Sequence, residues 1–291
     1  MLTKQSPQLK ADYDFCEKVI KKHSKSFYYT FKQLPEPKAN AVFAIYAFCR
    51  FADNTVDQEG SLSSKVEKLS QLKFELELFE KGQELPSPLW RALRDVFNRY
   101  DMDIQPFYDQ LKGQGMDLQF KSPENLVGLE QYSYYVAGTV GLMLIPIIAS
   151  ENHLNLKEVA VDLGIAMQIT NILRDVFEDV QKYQRVYLPV DLMIEQHYTD
   201  EHVQTCTVNQ SFINIWEYLA TIAEDKYDLF EKSLYQFDMD SKRQVLSAAR
   251  VYRAILNVVR KNGYQCFGKN NKVSTAVIGE IIRTTQMDVA N

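Results

Sequence analysis

Helix breakers are scarce in this chain: 11 Gly and 9 Pro among 291 residues, about 7% together where average usage gives roughly 12%. That scarcity excludes a collagen-like fibre and argues against a turn-rich β-sandwich. A basic excess is also missing. Lys and Arg number 33 against 38 Asp and Glu, a net charge of −5, so no nucleic-acid partner is expected. The four cysteines (Cys16, Cys49, Cys206, Cys266) are far apart without a C-x-x-C pair, which predicts reduced thiols in a reducing cytoplasm. The four histidines (His23, His153, His197, His202) form no H-E-x-x-H, so zinc lacks a ligand set. There is no G-x-x-x-x-G-K-[ST] phosphate loop and no G-x-G-x-x-G dinucleotide fingerprint. The first residues, MLTKQSPQLKADYDFCEK, carry charge throughout and lack the apolar core of a signal peptide.

What is present is a soluble balance, 46% apolar and 24% charged, in a chain long enough to bury a large core without staples. Punctuation is confined to clusters such as Gln33-Leu-Pro-Glu-Pro37 and Gly82-Gln-Glu-Leu-Pro-Ser-Pro88. Ser122-Pro123 reads as a helix start, with Ser122 as cap. Between clusters the period is helical. Ile215, Trp216, Leu219, Ile222, Ala223 and Tyr227 form one stripe; Val245, Ala248, Ala249, Tyr252, Ile255, Leu256 and Val259 form another. No alternating strand pattern, repeat or linker interrupts the chain. The expectation is a single all-α domain over residues 1–291, with eight to ten helices packed laterally. Gln131–Ser150 is free of charge and about the length that spans a bilayer. Its Tyr, Ser, Thr, Gly and Pro content instead fits a helix lining an internal apolar cavity.

Two segments carry acids where apolar helices should exclude them. In Lys38–Asp57 (KANAVFAIYAFCRFADNTVD), Tyr46, Arg50, Asp53 and Asp57 fall within about 60° of helical arc. In Leu163–Asp179 (LGIAMQITNILRDVFED), Gln168, Asn171, Asp175 and Asp179 fall within about 80°. A lone D-x-x-x-D is usually an accident of a solvated face. Here the surroundings are apolar, and an ionised carboxylate in such a place costs several kcal/mol unless paired or metal-bound. Like charges one turn apart add to that cost. Oxygen-only donors favour a hard cation, and carboxylates that share a metal with substrate phosphates are typical of Mg²⁺. A Mg²⁺–diphosphate site is therefore expected. His23-Ser24-Lys25-Ser26, Arg50, Arg174 and Arg185 supply donors for the anion, which stabilise charge as a C–O bond breaks. The chain is rich in aromatics, with 17 Tyr and 16 Phe. Most are core, but a few such as Tyr46, Tyr132, Tyr134 and Tyr252 could face a carbocation.

These residues carry a resemblance. His23-Ser-Lys-Ser-Phe27, Tyr46-x-x-x-Arg50-x-x-Asp53-x-x-x-Asp57, Tyr132-x-Tyr-x-Val-Ala-Gly-Thr-Val-Gly141, Gln168-x-x-Asn-Ile-Leu-Arg-Asp175-x-x-x-Asp179, Arg185-Val-Tyr-Leu-Pro189 and Ala249-Arg-Val-Tyr252 occur in order. Over nearly its full length the chain resembles the squalene/phytoene synthases, the head-to-head prenyltransferases, and within them looks most like the bacterial dehydrosqualene (4,4′-diapophytoene) synthases. The resemblance implies an isoprenoid-synthase-type helical bundle around a central apolar cavity. It also implies two or three Mg²⁺ ions held by Asp53, Asp57, Asn171, Asp175 and Asp179, with the four aspartates promoting diphosphate ionisation. His23, Ser24, Lys25, Ser26, Tyr46, Arg50, Tyr132, Gln168, Arg174, Arg185, Tyr187 and Tyr252 would bind two prenyl diphosphates. The implied reaction joins two farnesyl diphosphates to presqualene diphosphate and then dehydrosqualene, in carotenoid biosynthesis.

Two departures stand out. Asn54 follows Asp53 where many relatives have a second acid, and Arg185-Val-Tyr-Leu-Pro189 resembles the phytoene synthases equally. Geranylgeranyl diphosphate as substrate, a reductive squalene synthase and, from a different class, a non-catalytic helical scaffold are the alternatives. Chain length, oligomeric state, the terminal base and peripheral contact with the inner face of the membrane stay open, and no obligate protein partner is evident.

Overall fold

The computed structural model describes residues 6–266 and 271–290. Every regular element among them is helical, and no strand occurs. The α-helices are α1 (Pro7–His23), α2 (Lys25–Phe31), α3 (Glu36–Asp57), α4 (Leu62–Glu80), α5 (Pro88–Arg99), α6 (Gln105–Leu118), α7 (Leu126–Ser133), α8 (Thr139–Ile148), α9 (Lys157–Tyr183), α10 (Val190–Glu195), α11 (Asp200–Gln204), α12 (Gln210–Ser233), α13 (Lys242–Lys261) and α14 (Thr275–Ala290). That exceeds the expected eight to ten. Three of them (α2, α10, α11) run seven, six and five residues, too short to display a period. A π-helical turn, Tyr134–Gly138, divides α7 from α8.

Local chemistry sets the helix starts. Ser6 caps α1 by accepting from the Leu9 amide, and Ser87 caps α5, with Pro at the first turn of each. The expected start at Ser122-Pro123 is not used. Asn125 caps α7 by accepting from Gly128 N at 3.0 Å. Upstream of it, the Pro123 and Glu124 carbonyls accept from the Val190 and Asp191 amides, both at 3.0 Å. Those bonds hold Ser122–Glu124 outside the helix and against the first turn of α10.

The described chain divides into two compact units. One takes the residues through Gln119, with Thr139–Lys157 and Gln236–Val245; the other takes Phe120–Gly138, Glu158–Tyr235 and the residues from Leu246 on. The first is built on α3, which buries 12 side chains against α1, α4, α5, α6 and α8. Phe48, Phe79, Trp90, Phe97 and Phe107 meet there edge-on or tilted, with ring centroids 5.0–6.1 Å apart, geometry that adds to their area burial. The buried carboxylate of Asp12 is gripped by Arg91 through two bonds of 2.8 and 2.7 Å.

In the second unit α9 is held by α12. Trp216 Nε1 donates to the Leu173 carbonyl at 3.0 Å, the Thr170 and Tyr227 hydroxyls are 3.1 Å apart, and the Phe177 and Phe212 rings meet at a tilt. Arg253 and Arg260 of α13 pair with Asp228, Glu217 and Glu224 of α12. Both sequence stripes are buried, save Ile222 and Tyr252, which are half-buried. The backbones of α9 and the π turn approach so closely that a Cβ on Gly164 would lie 2.7 Å from Gly138 Cα. Only glycine fits there.

The helical stretch Leu126–Ile148 is long and apolar enough to cross a membrane by length and composition, and half of its apolar window is buried within the protein. The thiols are free: Cys16, Cys49 and Cys266 are buried and Cys206 half-buried.

Candidate active site

On α3 the polar stripe is visible against its neighbours. Residues 41–49 are buried except Tyr46, and Tyr46, Arg50 and Asp53 are each half-buried. Asp57, at the last turn of the helix, is exposed. It therefore departs from the expected buried pair, because the apolar run ends one residue earlier at Val56. Burial, and next the charge of Asp57, pushes the Asp53 carboxyl up to about 7; Arg50 opposes this and Asp117 adds to it. The Nε of Arg50 is buried with no partner. A buried cationic donor left unbonded is costly, and an anion is the species that would satisfy it.

The His23–Ser26 motif lies at the break between α1 and α2. Ser24 leaves helical geometry (φ −143°, ψ 88°), and His23, Lys25 and Ser26 are exposed around it. The His23 pKa is lowered first by burial and then by the charges of Arg50 and Lys22, so this turn stands within electrostatic reach of the α3 stripe.

In the second unit, Gln168, Asn171, Arg174, Asp175 and Asp179 are half-buried along α9. Asn171 Nδ2 donates to Gln168 Oε1 at 3.4 Å, a further side-chain bond joins Asn171 to Tyr252, and Asn171 Oδ1 is buried with no partner. Arg174 grips Asp175 through both nitrogens, with Nε at 2.8 Å from Oδ1. Burial, then repulsion by Asp175, lifts Asp179 to about 7, against Arg185 and Arg174. Burial likewise raises the Tyr252 hydroxyl.

The chain turn after α9 brings the next motif back. Gln184 adopts a left-handed conformation (φ 55°), and the Arg185 amide donates to the Asp179 carbonyl at 3.2 Å. The Arg185 guanidinium lies 5.9 Å from the Phe120 ring and 5.6 Å from the Tyr183 ring. It also donates to Tyr187 Oη at 3.4 Å, which accepts from Tyr132 Oη at 3.2 Å.

Each acid stripe thus comes with its own cations. Among the described residues no three His, Cys, Asp or Glu side chains converge as a metal cluster. The donors present are paired carboxylates plus an amide oxygen, and the buried, unbonded Asn171 Oδ1 is a hard oxygen ligand. Such a set fits a cation that takes its remaining ligands from substrate phosphates and water, as Mg²⁺ does.

Two residues escaped the sequence reading. Gln114 Nε2 of α6 donates to Asp53 Oδ1 at 2.8 Å, and Asp117 bears on the same carboxyl. Gln110, Gln114 and Asp117 repeat the 0, 4, 7 spacing seen in the α3 stripe, a signal that was available.

Comparison with known proteins agrees with these features. A squalene/phytoene synthase family profile matches residues 20–277. The 4,4′-diapophytoene synthase of Staphylococcus haemolyticus is 34% identical over 88% of this chain and 90% of its own length. The phytoene synthase of Arthrospira platensis is 33% identical over 93% and 91%. A crystal structure of a dehydrosqualene synthase in complex with ligand superposes with a TM-score of 0.92 at 39% identity, covering 97% of this chain and 98% of that one. With the ordered motifs, the helical fold and these matches in agreement, the chain belongs to the squalene/phytoene synthase family of head-to-head prenyltransferases.

Proposed function

We propose that this enzyme joins two farnesyl diphosphates, through presqualene diphosphate, to dehydrosqualene for carotenoid synthesis. The observation that carries the reading is the pair of unmet groups, Arg50 Nε and Asn171 Oδ1, each on its own acid stripe. In the first unit Asp53 and Asp57 hold Mg²⁺, while His23, Ser24, Lys25, Ser26, Tyr46 and Arg50 bind one diphosphate. In the second, Asn171, Asp175 and Asp179 hold Mg²⁺, while Gln168, Arg174, Arg185 and Tyr252 bind the other, and Tyr132 and Tyr187 fix Arg185. Bound Mg²⁺ supplies neutralisation of the leaving diphosphate's charge.

Arg50, Arg174 and Arg185 orient the diphosphates and stabilise the negative charge that builds as each C–O bond breaks. The allylic cation formed from one substrate is attacked by the alkene of the other, and loss of a proton closes the cyclopropane. A second loss of diphosphate, rearrangement and loss of another proton give the hydrocarbon. No reductant is consumed. Neither motif offers a side chain placed as base, so released diphosphate takes the proton. Burial of half of the apolar window within Leu126–Ile148 supports packed helices and not a span; the enzyme is read as cytoplasmic, its product passing to the bilayer at a peripheral contact.

Incubation with farnesyl diphosphate and Mg²⁺, without NADPH, tests this directly. Dehydrosqualene is expected, and the absence of both hydrocarbon and presqualene diphosphate would refute the proposal. The likeness to the Arthrospira phytoene synthase and the Arg185-Val-Tyr-Leu-Pro189 run favour a second reading, in which two geranylgeranyl diphosphates are joined. Faster turnover of geranylgeranyl than of farnesyl diphosphate would select it.

A further inference from the structure

Two glutamines stand one turn apart on α6 and are almost wholly enclosed, Gln110 at 1% and Gln114 at 4% exposure. They make different bonds. Gln110 Oε1 accepts from Thr139 Oγ1 at 2.6 Å, whereas Gln114 Nε2 donates to Asp53 Oδ1 at 2.8 Å. Among the described residues Gln114 is the one hydrogen-bond donor on Asp53. Arg50, on the same stripe and closer in sequence, leaves its Nε unbonded. A carboxylate accepts at several lone pairs on two oxygens. A single donor on Oδ1 therefore restrains the rotation of the group and leaves Oδ2 unclaimed by any donor among the described residues. The donor has little freedom to rotate, since the Gln114 side chain is itself almost wholly buried.

We infer that Gln114 is a positioning residue for this acid: its amide holds Asp53 in the orientation that accepts a divalent cation carried by a diphosphate. The inference rests on the Mg²⁺–diphosphate reading above. Groups that hydrogen-bond a ligating carboxylate typically contribute about 10–100-fold to metal affinity, and Gln114 supplies that bond here. A purely architectural role would make the two glutamines equivalent, because both are buried amides on one face of one helix. The positioning role makes them unequal.

The test is calorimetric titration of Mn²⁺ into the full chain with inorganic diphosphate, in an Asp175→Asn, Asp179→Asn background that silences the second stripe. Gln114→Met, near-isosteric but without a donor, should weaken Mn²⁺ binding by about 10–100-fold. Gln114→Asn, which withdraws the amide by one methylene, should do the same and serves if the first variant fails to fold. Gln110→Met should lower the melting temperature yet leave Mn²⁺ affinity within about twofold, having no bond to an acid. Equal affinity in Gln114→Met and its parent, or equal losses at Gln110 and Gln114, would overturn the inference alone. A parent with no Mn²⁺-dependent diphosphate binding would overturn the underlying reading, and the inference with it.

Discussion

Replacing Asp53 with asparagine should stabilise the metal-free protein while abolishing its metal-dependent turnover. The size of the effect follows from the carboxyl's position. Burial first, and the Asp57 charge second, hold it at about 7 in the folded chain, against about 3.9 for an unfolded aspartate. Between those values the folded chain keeps a proton that the unfolded chain has lost, so stability falls as pH rises through the window. Roughly three pKa units at 1.36 kcal/mol each give about 4 kcal/mol above pH 7 as a ceiling. Because Asp53 is only half-buried, water screens part of this and about 1–2 kcal/mol should survive. Asparagine has no proton to lose, and its Oδ1 still accepts from Gln114, so the change removes charge without stranding a donor.

The assay is thermal unfolding in EDTA across about pH 5 to 8.5. A gain of 1–2 kcal/mol corresponds to about 2–6 °C in a chain of this size, largest at the alkaline end, roughly a third as large at pH 5, and vanishing only below about pH 4. In wild type, Mg²⁺ with diphosphate should recover the same stability by binding the folded state, and Asp53→Asn should respond less. A variant that melts at or below wild type at about pH 8, or that keeps the wild-type slope with pH, would refute the assignment of Asp53 as an acid held at a cost for its function. Asp179, raised to about 7 by burial and then by Asp175, belongs to the same class.

Two further substitutions probe the scaffold beneath the site. Gly164→Ala places a methyl 2.7 Å from Gly138 Cα and should cost about 1–3 kcal/mol as overpacking, read as a lowered melting temperature; an unchanged value would mean that the π turn yields freely. Arg91→Leu leaves the enclosed Asp12 carboxylate unpaired and should cost about 3 kcal/mol at neutral pH. Asp12 is held below the ordinary carboxylate range chiefly by its hydrogen bonds from Arg91. Its contribution is therefore present above about pH 4 and lost as pH falls through the folded value. The wild-type advantage over Arg91→Leu should shrink in acid denaturation, and an advantage constant with pH would count against it.

What the sequence could reveal about this enzyme was whatever repeats within one helix. The α3 and α9 stripes are local patterns, and the half-buried Arg50, Asp53, Asn171, Asp175 and Asp179 stand where a period of 3.6 puts them. The Asp57 carboxylate obeys the same period yet is exposed, because periodicity assigns a face and not the depth to which a helix end is covered. The start of α7 departs from the local expectation for a related reason: Ser122-Pro123 has the chemistry of a cap, but the Pro123 and Glu124 carbonyls are taken by amides more than 60 residues on. Gln114 meets Asp53 across 61 residues, and Gly164 meets the π turn across 26 to 27. Gln114 shows locally only the spacing it shares with Gln110 and Asp117, in a helix that also carries Asp109 and Lys112, and Gly164 only a glycine that costs helix stability without visible gain.

The two contacts differ in what they leave in the sequence. A glycine in a long helix is locally unfavourable, as are the acids of the two stripes, whereas an amide in the mixed sequence of α6 is not. Local cost without local compensation is the trace that a distant partner leaves in a sequence. On that ground Gly164 carries the same flag as Asp53 and Asp175, while Gln110 and Gln114 show only their spacing with Asp117. The identity of the partner is a different matter: an unfavourable residue announces that something compensates it, while only the packed chain determines whether that is a carboxylate, a hydroxyl or a cation.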